Sequence, residues 1–263
     1  MNYSVSSATE YRPKNFNDMI GQDAIVKTLS NAIKNDNIPQ ALLFCGPRGV
    51  GKTSCARILA KTINELEEDF EFNIFELDAA SNNSIEDIRN ITDQIRIPPQ
   101  IGKYKVYIID EVHMLSNQAF NAFLKSLEEP PEHVVFILAT TEKNKILPTI
   151  LSRCQIYDFK KVDDESITKL LLRICKEKNI KYEDGALSII SERSDGSIRD
   201  SLSIFDRLVS FTDSNLTIDE VTFNLNVLDF ETYFRLSKLI CKRDIPEILY
   251  LYNNIYNNGY DDL

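Results

Sequence analysis

The stretch ALLFCGPRGVGKTS, residues 41–54, constrains the fold of this chain more than any other feature. An apolar run, ALLFC, comes directly before the spacing G-x-x-x-x-G-K-T, which is formed by Gly46, Gly51, Lys52 and Thr53, and a helical pattern follows. Glycines let the backbone curl so that successive N–H groups point at an anion, and a helix N-terminus adds partial positive charge. A chance glycine turn is a poor explanation, because the strand, the helix and all four residue types agree. The stretch therefore predicts a phosphate-binding loop between a buried strand and a helix.

The side chains of this loop have distinct expected roles. Lys52 supplies a compact cation for the β- and γ-phosphates of a nucleotide, and the Thr53 hydroxyl is an expected Mg²⁺ ligand. The predicted nucleotide-binding residues of the loop are Gly46, Pro47, Arg48, Gly49, Val50, Gly51, Lys52, Thr53 and Ser54.

The first 160 residues alternate strand-like and helix-like patterns. Further buried strands are predicted at NIFEL, KVYIID and HVVFILA, and helices at QDAIVKTLSNAIK, from Lys52 to Leu66, at SIEDIRNITDQI and after the capping residue Ser116. Strands that are apolar on both faces and separated by helices indicate an α/β fold with a parallel sheet covered on two sides.

The pattern changes after about residue 162. The segments DESITKLLLRICKEK, DGALSIISERS, SIRDSLSIFDRLVSF and TIDEVTFNL are amphipathic and helical, and no strand is predicted between them. A further helical region begins near residue 225 and is too small to bury a complete core. We therefore expect three parts: an α/β domain at 1–161, a small helical domain at 162–222, and the start of a further helical domain at 223–263.

A second cluster of functional residues is predicted where two strands end. The strand KVYIID ends in Asp110, and Glu111 follows directly, at the sheet edge where open α/β sheets bind ligands. Asp110 is expected to hold hydrated Mg²⁺, and Glu111 to orient and polarise an attacking water. Thr140 and Thr141 end the next strand, where a hydroxyl either contacts a γ-phosphate or water or bonds local backbone. His113 is expected to be structural, because no nucleophile or metal-ligand spacing accompanies it.

Composition excludes several classes of protein. The net charge of −10 argues against binding nucleic acid through the overall field, so any DNA contact must be local. The five cysteines are dispersed and include no C-x-x-C pair, so neither a zinc site nor a disulfide framework is expected. A reducing cytoplasm is the expected location. Neither a secretory signal nor an apolar run long enough for a membrane span is apparent.

The order of motifs resembles that of the AAA+ ATPases, and more narrowly the gamma/tau subunits of the bacterial DNA polymerase III clamp loader. The similar segments include YRPKNFNDMIGQ, GPRGVGKTSCARILAK, ELDAASN, KVYIIDEVHMLS, FNAFLKSLEEPPEHVVFILATTE, ILSRCQ and GSIRD. The resemblance implies a five-stranded parallel sheet in a P-loop AAA+ domain, followed by a helical lid domain and the start of a helical collar domain.

The resemblance also implies roles for residues outside the loop. Arg153, in SRC, matches an arginine that reaches the ATP of a neighbouring subunit. Arg199, in GSIRD, matches the family's second sensor, a lid arginine that contacts the nucleotide of its own chain. Thr141 matches the residue that the family calls the first sensor. The expected adenine-binding positions are Tyr11, Arg12, Pro13, Ile20 and Gly21. A packed N-terminal strap is the alternative for this last group.

The expected function is that of an ATPase subunit of a replicative clamp loader in the bacterial replisome. ATP and Mg²⁺ are the expected cofactors, and the expected partners are gamma/tau, delta and delta-prime type subunits, the sliding clamp, and primer–template DNA held through its phosphates. The candidate DNA contacts are Asn82, Asn83, Ser84, Arg89 and Arg96, for which a capped, solvated helix is the alternative. No polymerase chemistry is expected of the chain, so a DNA-directed DNA polymerase or nucleotidyltransferase label applies only by membership of the holoenzyme.

Two departures from the family pattern limit the expectations. Many gamma/tau subunits carry a four-cysteine zinc knob where this chain has KTINELEEDFEFNIF, so zinc is not expected. The collar domain is expected to be incomplete and to lack a tau-type extension. Whether these residues assemble into a ring is therefore left open.

Three other kinds of protein are alternatives to a clamp-loader ATPase. A branch-migration helicase should carry a winged-helix domain after the lid. A non-hydrolysing structural subunit typically lacks Lys52 or the Asp110–Glu111 pair. A P-loop phosphotransferase would leave Arg153 and Arg199 unexplained.

Overall fold

The computed structural model describes residues 6–65, 73–82, 85–225 and 230–257. The chain divides into two compact units. The first comprises Met1–Ser166 with Gly196–Asp200, and the second comprises Ile167–Asp195 with Ser201–Leu263.

A five-stranded sheet forms the centre of the first unit, and every neighbouring pair of strands is parallel. Its strands are β1 (Ala41–Cys45), β2 (Ile74–Asp78), β3 (Lys105–Asp110), β4 (Val134–Thr140) and β5 (Gln155–Asp158). The spatial order is β2–β3–β4–β1–β5. This confirms the predicted five-stranded parallel sheet.

Helices lie between these strands, as crossovers between parallel neighbours require: they are α3 (Lys52–Asn64), α4 (Ile85–Ile95), α5 (Asn117–Glu128) and α6 (Pro148–Leu151). Helices α1 (Ser7–Glu10) and α2 (Asp23–Lys34) precede β1, and α7 (Asp164–Lys178) follows β5 and continues into the second unit. Helix α5 begins as predicted, because the Ser116 hydroxyl accepts a hydrogen bond from the Ala119 N–H at 3.2 Å.

The core of the first unit lies on both faces of the sheet. Successive residues of a strand point to opposite faces, so Leu42 and Phe44 of β1 pack into one cluster with helix α3, while Leu43 packs into a second cluster with helix α5. In the second cluster the rings of Phe123 and Phe136 meet edge to face, 5.1 Å between centroids. The expectation of a sheet covered on two sides is confirmed.

The second unit is mainly helical. Besides α7 it contains α8 (Asp184–Arg193), most of α9 (Ile198–Phe211), α10 (Ile218–Asn224), α11 (Phe230–Lys242) and α12 (Ile245–Asn257). The expectation that no strand lies between these helices is wrong, because β6 (Lys181–Tyr182) and β7 (Asn215–Leu216) pair in parallel. Strands of two residues are too short to produce the alternating or continuous apolar run by which strands are recognised. Within the described ranges no helix is long and apolar enough to cross a membrane.

Candidate active site

The loop from Gly46 to Gly51 joins β1 to α3 at the carboxyl edge of the sheet. Two of its glycines are required by close approach of other backbone or side-chain atoms. A Cβ on Gly46 would lie 2.4 Å from the Phe159 carbonyl oxygen, and one on Gly49, where φ is +74°, would lie 2.0 Å from the Ser197 hydroxyl. The loop therefore holds its curled form against tightly packed neighbours, and its N–H groups lie at the start of α3.

Lys52, the first residue of α3, is buried at 6% exposure. Its Nζ donates hydrogen bonds to the carbonyl oxygens of Gly46 at 2.8 Å and Pro47 at 2.7 Å. Burial lowers the pKa of Lys52, while the carboxylates of Glu111 and Asp110 act in the opposite direction. The side chain thus places a poorly solvated ammonium group against the loop, where phosphate oxygens can take the place of the two carbonyls.

Thr53 and Asp110 join the loop to the end of β3. The Thr53 hydroxyl donates to Asp110 Oδ2 at 2.6 Å, and Asp110 Oδ1 accepts from the Glu111 N–H at 2.9 Å. The hydroxyl and the carboxylate supply neighbouring oxygen ligands of the kind that Mg²⁺ prefers. These two side chains therefore fit the divalent cation that accompanies a nucleotide.

Glu111 and the end of β4 form a second part of the site. The Thr141 hydroxyl donates to Glu111 Oε2 at 3.0 Å, and the Thr141 N–H lies 3.3 Å from the same oxygen. Thr140 behaves differently: it is fully buried, and its hydroxyl lies 3.0 Å from His113 Nδ1 and accepts from the Glu142 N–H at 3.0 Å. The sequence pattern did not distinguish the two threonines, but in the structure Thr140 contacts His113 and Thr141 contacts Glu111.

The strand order explains why these groups meet. Strand β4 lies between β1 and β3, so its end lies between the phosphate loop and the Asp110–Glu111 pair. Ligands of open α/β sheets bind at the carboxyl ends of strands. The predicted residues Lys52, Thr53, Asp110, Glu111 and Thr141 are therefore brought to one sheet edge.

The N-terminal segment contacts the loop helix through Arg12. Its Nε donates to the Ser54 hydroxyl at 3.2 Å. Burial lowers the pKa of Arg12, with the nearby charge of Arg57 acting in the same direction. Tyr11, Pro13 and Ile20 are half-buried, and a Cβ on Gly21 would lie 3.0 Å from Val162 Cγ1.

Arg199 lies in the first turn of α9, within the residues that belong to the first unit. Its backbone N–H lies 3.4 Å from the Gly49 carbonyl oxygen, and its side chain is exposed. The segment that carries Arg199 therefore lies beside the phosphate loop.

Arg153 lies at the amino edge of the sheet, opposite the carboxyl edge that carries the phosphate loop. Gln155, two residues later, pairs with Leu42 of β1, whereas the phosphate loop follows the last residue of that strand. The Arg153 guanidinium donates to the Thr149 carbonyl oxygen at 2.6 Å and to Glu128 Oε1 at 2.8 Å. It also lines a cavity of about 540 Å³ at this amino edge. The sequence provided no indication of the ion pair with Glu128.

The candidate DNA contacts lie around α4. Asn82 is half-buried and its Nδ2 donates to the Asp78 carbonyl oxygen at 3.2 Å, whereas Arg89 and Arg96 are exposed. Asn83 and Ser84 fall outside the described residues.

All five cysteines are free thiols. In the described part of the chain, no group of three or more His, Cys, Asp or Glu side chains could hold a metal ion.

Two family profiles match the chain. One, described as the delta subunit of DNA polymerase III, matches residues 21–72 and 65–163, and the other, described as the ATPase lid domain of a DNA polymerase III clamp loader subunit, matches residues 166–214.

Several curated relatives are similar over nearly the whole chain. The tau subunit of Bacillus subtilis DNA polymerase III is 40% identical over 95% of this chain, which spans 48% of that protein. The Escherichia coli tau subunit is 38% identical over 99% of this chain, which spans 43% of it. The gamma subunit of Buchnera aphidicola subsp. Schizaphis graminum is 38% identical, with 99% of this chain covering 76% of that one. The chain thus spans about half the length of the tau relatives and three quarters of this gamma relative.

Solved structures of Thermotoga maritima RuvB share the fold. One described as a Holliday junction branch migration motor has a TM-score of 0.65 at 23% identity, over 88% of this chain and 79% of that one. At this identity the likeness concerns the fold alone. The gamma relative, most of whose length this chain covers, and the two DNA polymerase III profiles together show the family. The chain belongs to the gamma/tau subunit family of DNA polymerase III.

Proposed function

We propose that this chain is an ATPase subunit of a replicative clamp loader, which uses ATP binding and hydrolysis to load a sliding clamp onto primed DNA. The observation that carries the proposal is the meeting of Lys52, Thr53, Asp110, Glu111 and Thr141 at one sheet edge, with Arg153 at the other. The first group can bind and activate a nucleotide, and the arginine can serve the nucleotide of a neighbouring chain.

Phosphate binding is assigned to the loop and to Lys52. The loop N–H groups and the N-terminus of α3 attract the negative phosphates, and Lys52 exchanges its two carbonyl acceptors for β- and γ-phosphate oxygens. Thr53 and Asp110 hold Mg²⁺, whose chemistry is to neutralise phosphate charge. Arg12 supports the helix beneath the phosphates, and Tyr11, Pro13, Ile20 and Gly21 are assigned to the adenine.

Activation of water is assigned to Glu111. In the present conformation the Thr141 hydroxyl donates to the Glu111 carboxylate. A γ-phosphate gives Thr141 an alternative acceptor, because its hydroxyl has a single hydrogen to donate. Glu111 then orients the attacking water, and the Thr141 hydroxyl contacts the γ-phosphate.

Arg153 is assigned to the nucleotide of the next subunit. Its level on the sheet is near Gln40, which lines the same cavity, and the strand from Gln40 to Gly46 extends roughly 20 Å. That separation is longer than an arginine side chain, so Arg153 does not serve the loop of its own chain. In the neighbour's site the guanidinium stabilises charge on the transferred phosphoryl group. Arg199 is assigned to the nucleotide of its own chain.

DNA is assigned to the region of α4. Arg89 lies within α4 and Arg96 directly follows its last residue, Ile95, and both are exposed. Together with Asn82, Asn83 and Ser84 at the start of the helix, they would hold phosphates without reading bases.

The remaining expectations stay part of the proposal. The partners are gamma/tau, delta and delta-prime type subunits and the sliding clamp, and the setting is the cytoplasmic replisome. The ATPase, lid and collar parts are assigned to 1–161, 162–222 and 223–263, and zinc has no assigned role.

A non-hydrolysing structural subunit is the second candidate, and the match to a delta-subunit profile favours it. Lys52, Asp110 and Glu111 favour hydrolysis instead. The test is ATP turnover of the full-length assembly, with and without sliding clamp and primed DNA, beside a Glu111→Gln assembly. Stimulated turnover that the variant loses supports an ATPase; absence of turnover in the unmodified assembly would establish the structural alternative.

A further inference from the structure

His113 is one of two histidines in the chain, and it follows Glu111 by two residues. Its side chain is only 6% exposed. Nδ1 lies 3.0 Å from the Thr140 hydroxyl and 3.4 Å from Glu111 Oε2, and Nε2 lies 3.3 Å from Glu142 Oε1. A buried imidazole with polar neighbours on both nitrogens does more than fill space, because each neighbour constrains the orientation of the ring.

The contacts of His113 connect the ends of two adjacent strands. Glu111 follows β3, while Thr140 ends β4 and Glu142 follows it. The Thr140 hydroxyl also accepts from the Glu142 N–H at 3.0 Å, so His113 and the turn after β4 form one hydrogen-bonded group. The ring therefore links the position of Glu111 to that of the segment carrying Thr141.

The backbone at Glu111 is in a conformation that needs support. Its φ is +46°, in the left-handed region that residues other than glycine seldom occupy. The Met114 N–H closes a turn onto the Glu111 carbonyl oxygen at 2.8 Å, and His113 lies inside that turn. Contacts of the His113 ring therefore help to hold the backbone from which the Glu111 carboxylate projects.

The contacts of the Glu111 carboxylate are confined to one oxygen. Oε2 accepts from Thr141 and faces His113 Nδ1, whereas Oε1 has no hydrogen-bond partner among the residues that the structure describes. With Oε2 anchored, Oε1 is available to accept a hydrogen bond from an attacking water.

We propose that His113 is a positioning residue for ATP hydrolysis, which holds Glu111 in place and couples it to the strand end that carries Thr140 and Thr141. This inference rests on the proposed function, because it depends on Glu111 acting on the attacking water. His113 touches neither nucleotide nor water in this role. Its effect is on the orientation of Glu111 and hence on turnover, and not on nucleotide affinity.

The test compares ATP turnover and ATP affinity of full-length assemblies that carry His113→Ala, His113→Asn or His113→Phe. The Asn amide can reproduce a hydrogen bond near the Nδ1 position, whereas Phe restores ring volume without any donor or acceptor. We expect kcat to fall about tenfold or more in the Ala and Phe variants, because small misplacements of a reacting group have effects of this order. We expect KM and ATP affinity to stay within about twofold, and Asn to recover part of the lost turnover.

His133→Asn is the matched control, since the His133 ring contacts the Ile95 carbonyl oxygen through Nε2 at 3.0 Å and the residue precedes β4, at the opposite end of that strand from Thr140. It should turn over as the unmodified protein does. Thermal unfolding of every variant separates loss of fold from loss of turnover.

The outcomes distinguish this inference from the proposed function. If Phe restores turnover as well as Asn does, or if His113→Ala keeps unmodified kcat while Glu111→Gln abolishes turnover, the positioning role is wrong and the ATPase assignment stands. If Glu111→Gln keeps full turnover, the assignment of Glu111 fails, and the role of His113 fails with it.

Discussion

The guanidinium of Arg153 lies 2.8 Å from the carboxylate of Glu128 in the same chain. Both side chains are partly exposed, at 34% and 49%. Ion pairs in such surroundings contribute about 0–1 kcal/mol to stability. Arg153 is therefore held weakly on its own subunit, and a triphosphate with several charges can compete for it.

Replacing Glu128 by Gln should lower the free energy of unfolding by less than about 1 kcal/mol, because solvent already screens this pair. Urea unfolding measures the change. Glu129→Gln is the control, since Glu129 is an exposed neighbour of the same charge. A loss of several kcal/mol in Glu128→Gln alone would mean that Arg153 is primarily structural.

Arg153→Ala should keep ATP binding yet reduce clamp- and DNA-stimulated turnover by about 10³-fold, the usual order for an arginine supplied in trans. Nucleotide titration and steady-state turnover measure the two effects. Mixing this variant with Glu111→Gln chains should restore some turnover, because an interface can then combine an intact Glu111 with an intact Arg153. Mixtures without any recovery would argue against action across an interface.

Lys52→Ala should weaken ATP binding at least about 100-fold, since charged hydrogen bonds to the phosphates are lost. Calorimetric titration with ATP measures the affinity. Lys27→Ala, on the exposed side of α2, is the control for removing a lysine elsewhere. Wild-type affinity in Lys52→Ala would disprove the phosphate-site assignment.

Gly49→Ala should disrupt the phosphate loop and lower stability by about 1 kcal/mol or more, because φ is +74° and the new methyl group would meet Ser197. The free energy of unfolding and the affinity for ATP should decrease together. Gly185→Ala is the comparison: its methyl group meets only the end of the flexible Ile218 side chain, and its φ is ordinary. Equal tolerance of both changes would contradict the close approach at Gly49.

Burial raises the pKa of the Cys55 thiol from 9.0 to about 12. Well below pH 9 the thiol is neutral in both folded and unfolded chains, so its contribution to stability is fully present. Between pH 9 and 12 it is mainly the unfolded chain that ionises, and stability falls, by about 1–2 kcal/mol at pH 10. Urea unfolding at pH 8 and pH 10 should show a smaller decline for Cys55→Ala than for the exposed-site control Cys241→Ala. Equal declines would contradict the pKa shift.

Long, strongly patterned segments were predictable from the sequence, and short or context-dependent ones were not. The run ALLFC and the glycine spacing after it located β1, the loop and α3 because each signal is local. Strand β5, the outermost strand beside β1, reads QIYD and has a single buried residue, so its pattern is too short to recognise; β6 and β7 are shorter still. These strands are defined by their partners and not by their own composition.

The candidate site was predictable at the level of residue type, but not at the level of contacts. Sequence placed Thr140 and Thr141 at one strand end without distinguishing them, because only the fold determines that Thr140 faces His113 and Thr141 faces Glu111. His113 was expected to be structural for lack of a motif. Its connection to Glu111 depends on the left-handed backbone at Glu111, which no sequence pattern specifies.

The separation of Arg153 from the phosphate loop across β1 and β5 has a geometric consequence for how copies associate. A twofold dimer joins like surfaces, whereas the proposed action of Arg153 on the phosphate loop of a neighbouring chain requires repeated head-to-tail stacking. In any arc that does not close, such stacking leaves the last phosphate loop without an arginine from a following chain. The terminal position must then either stay idle or accept a guanidinium from a different polypeptide.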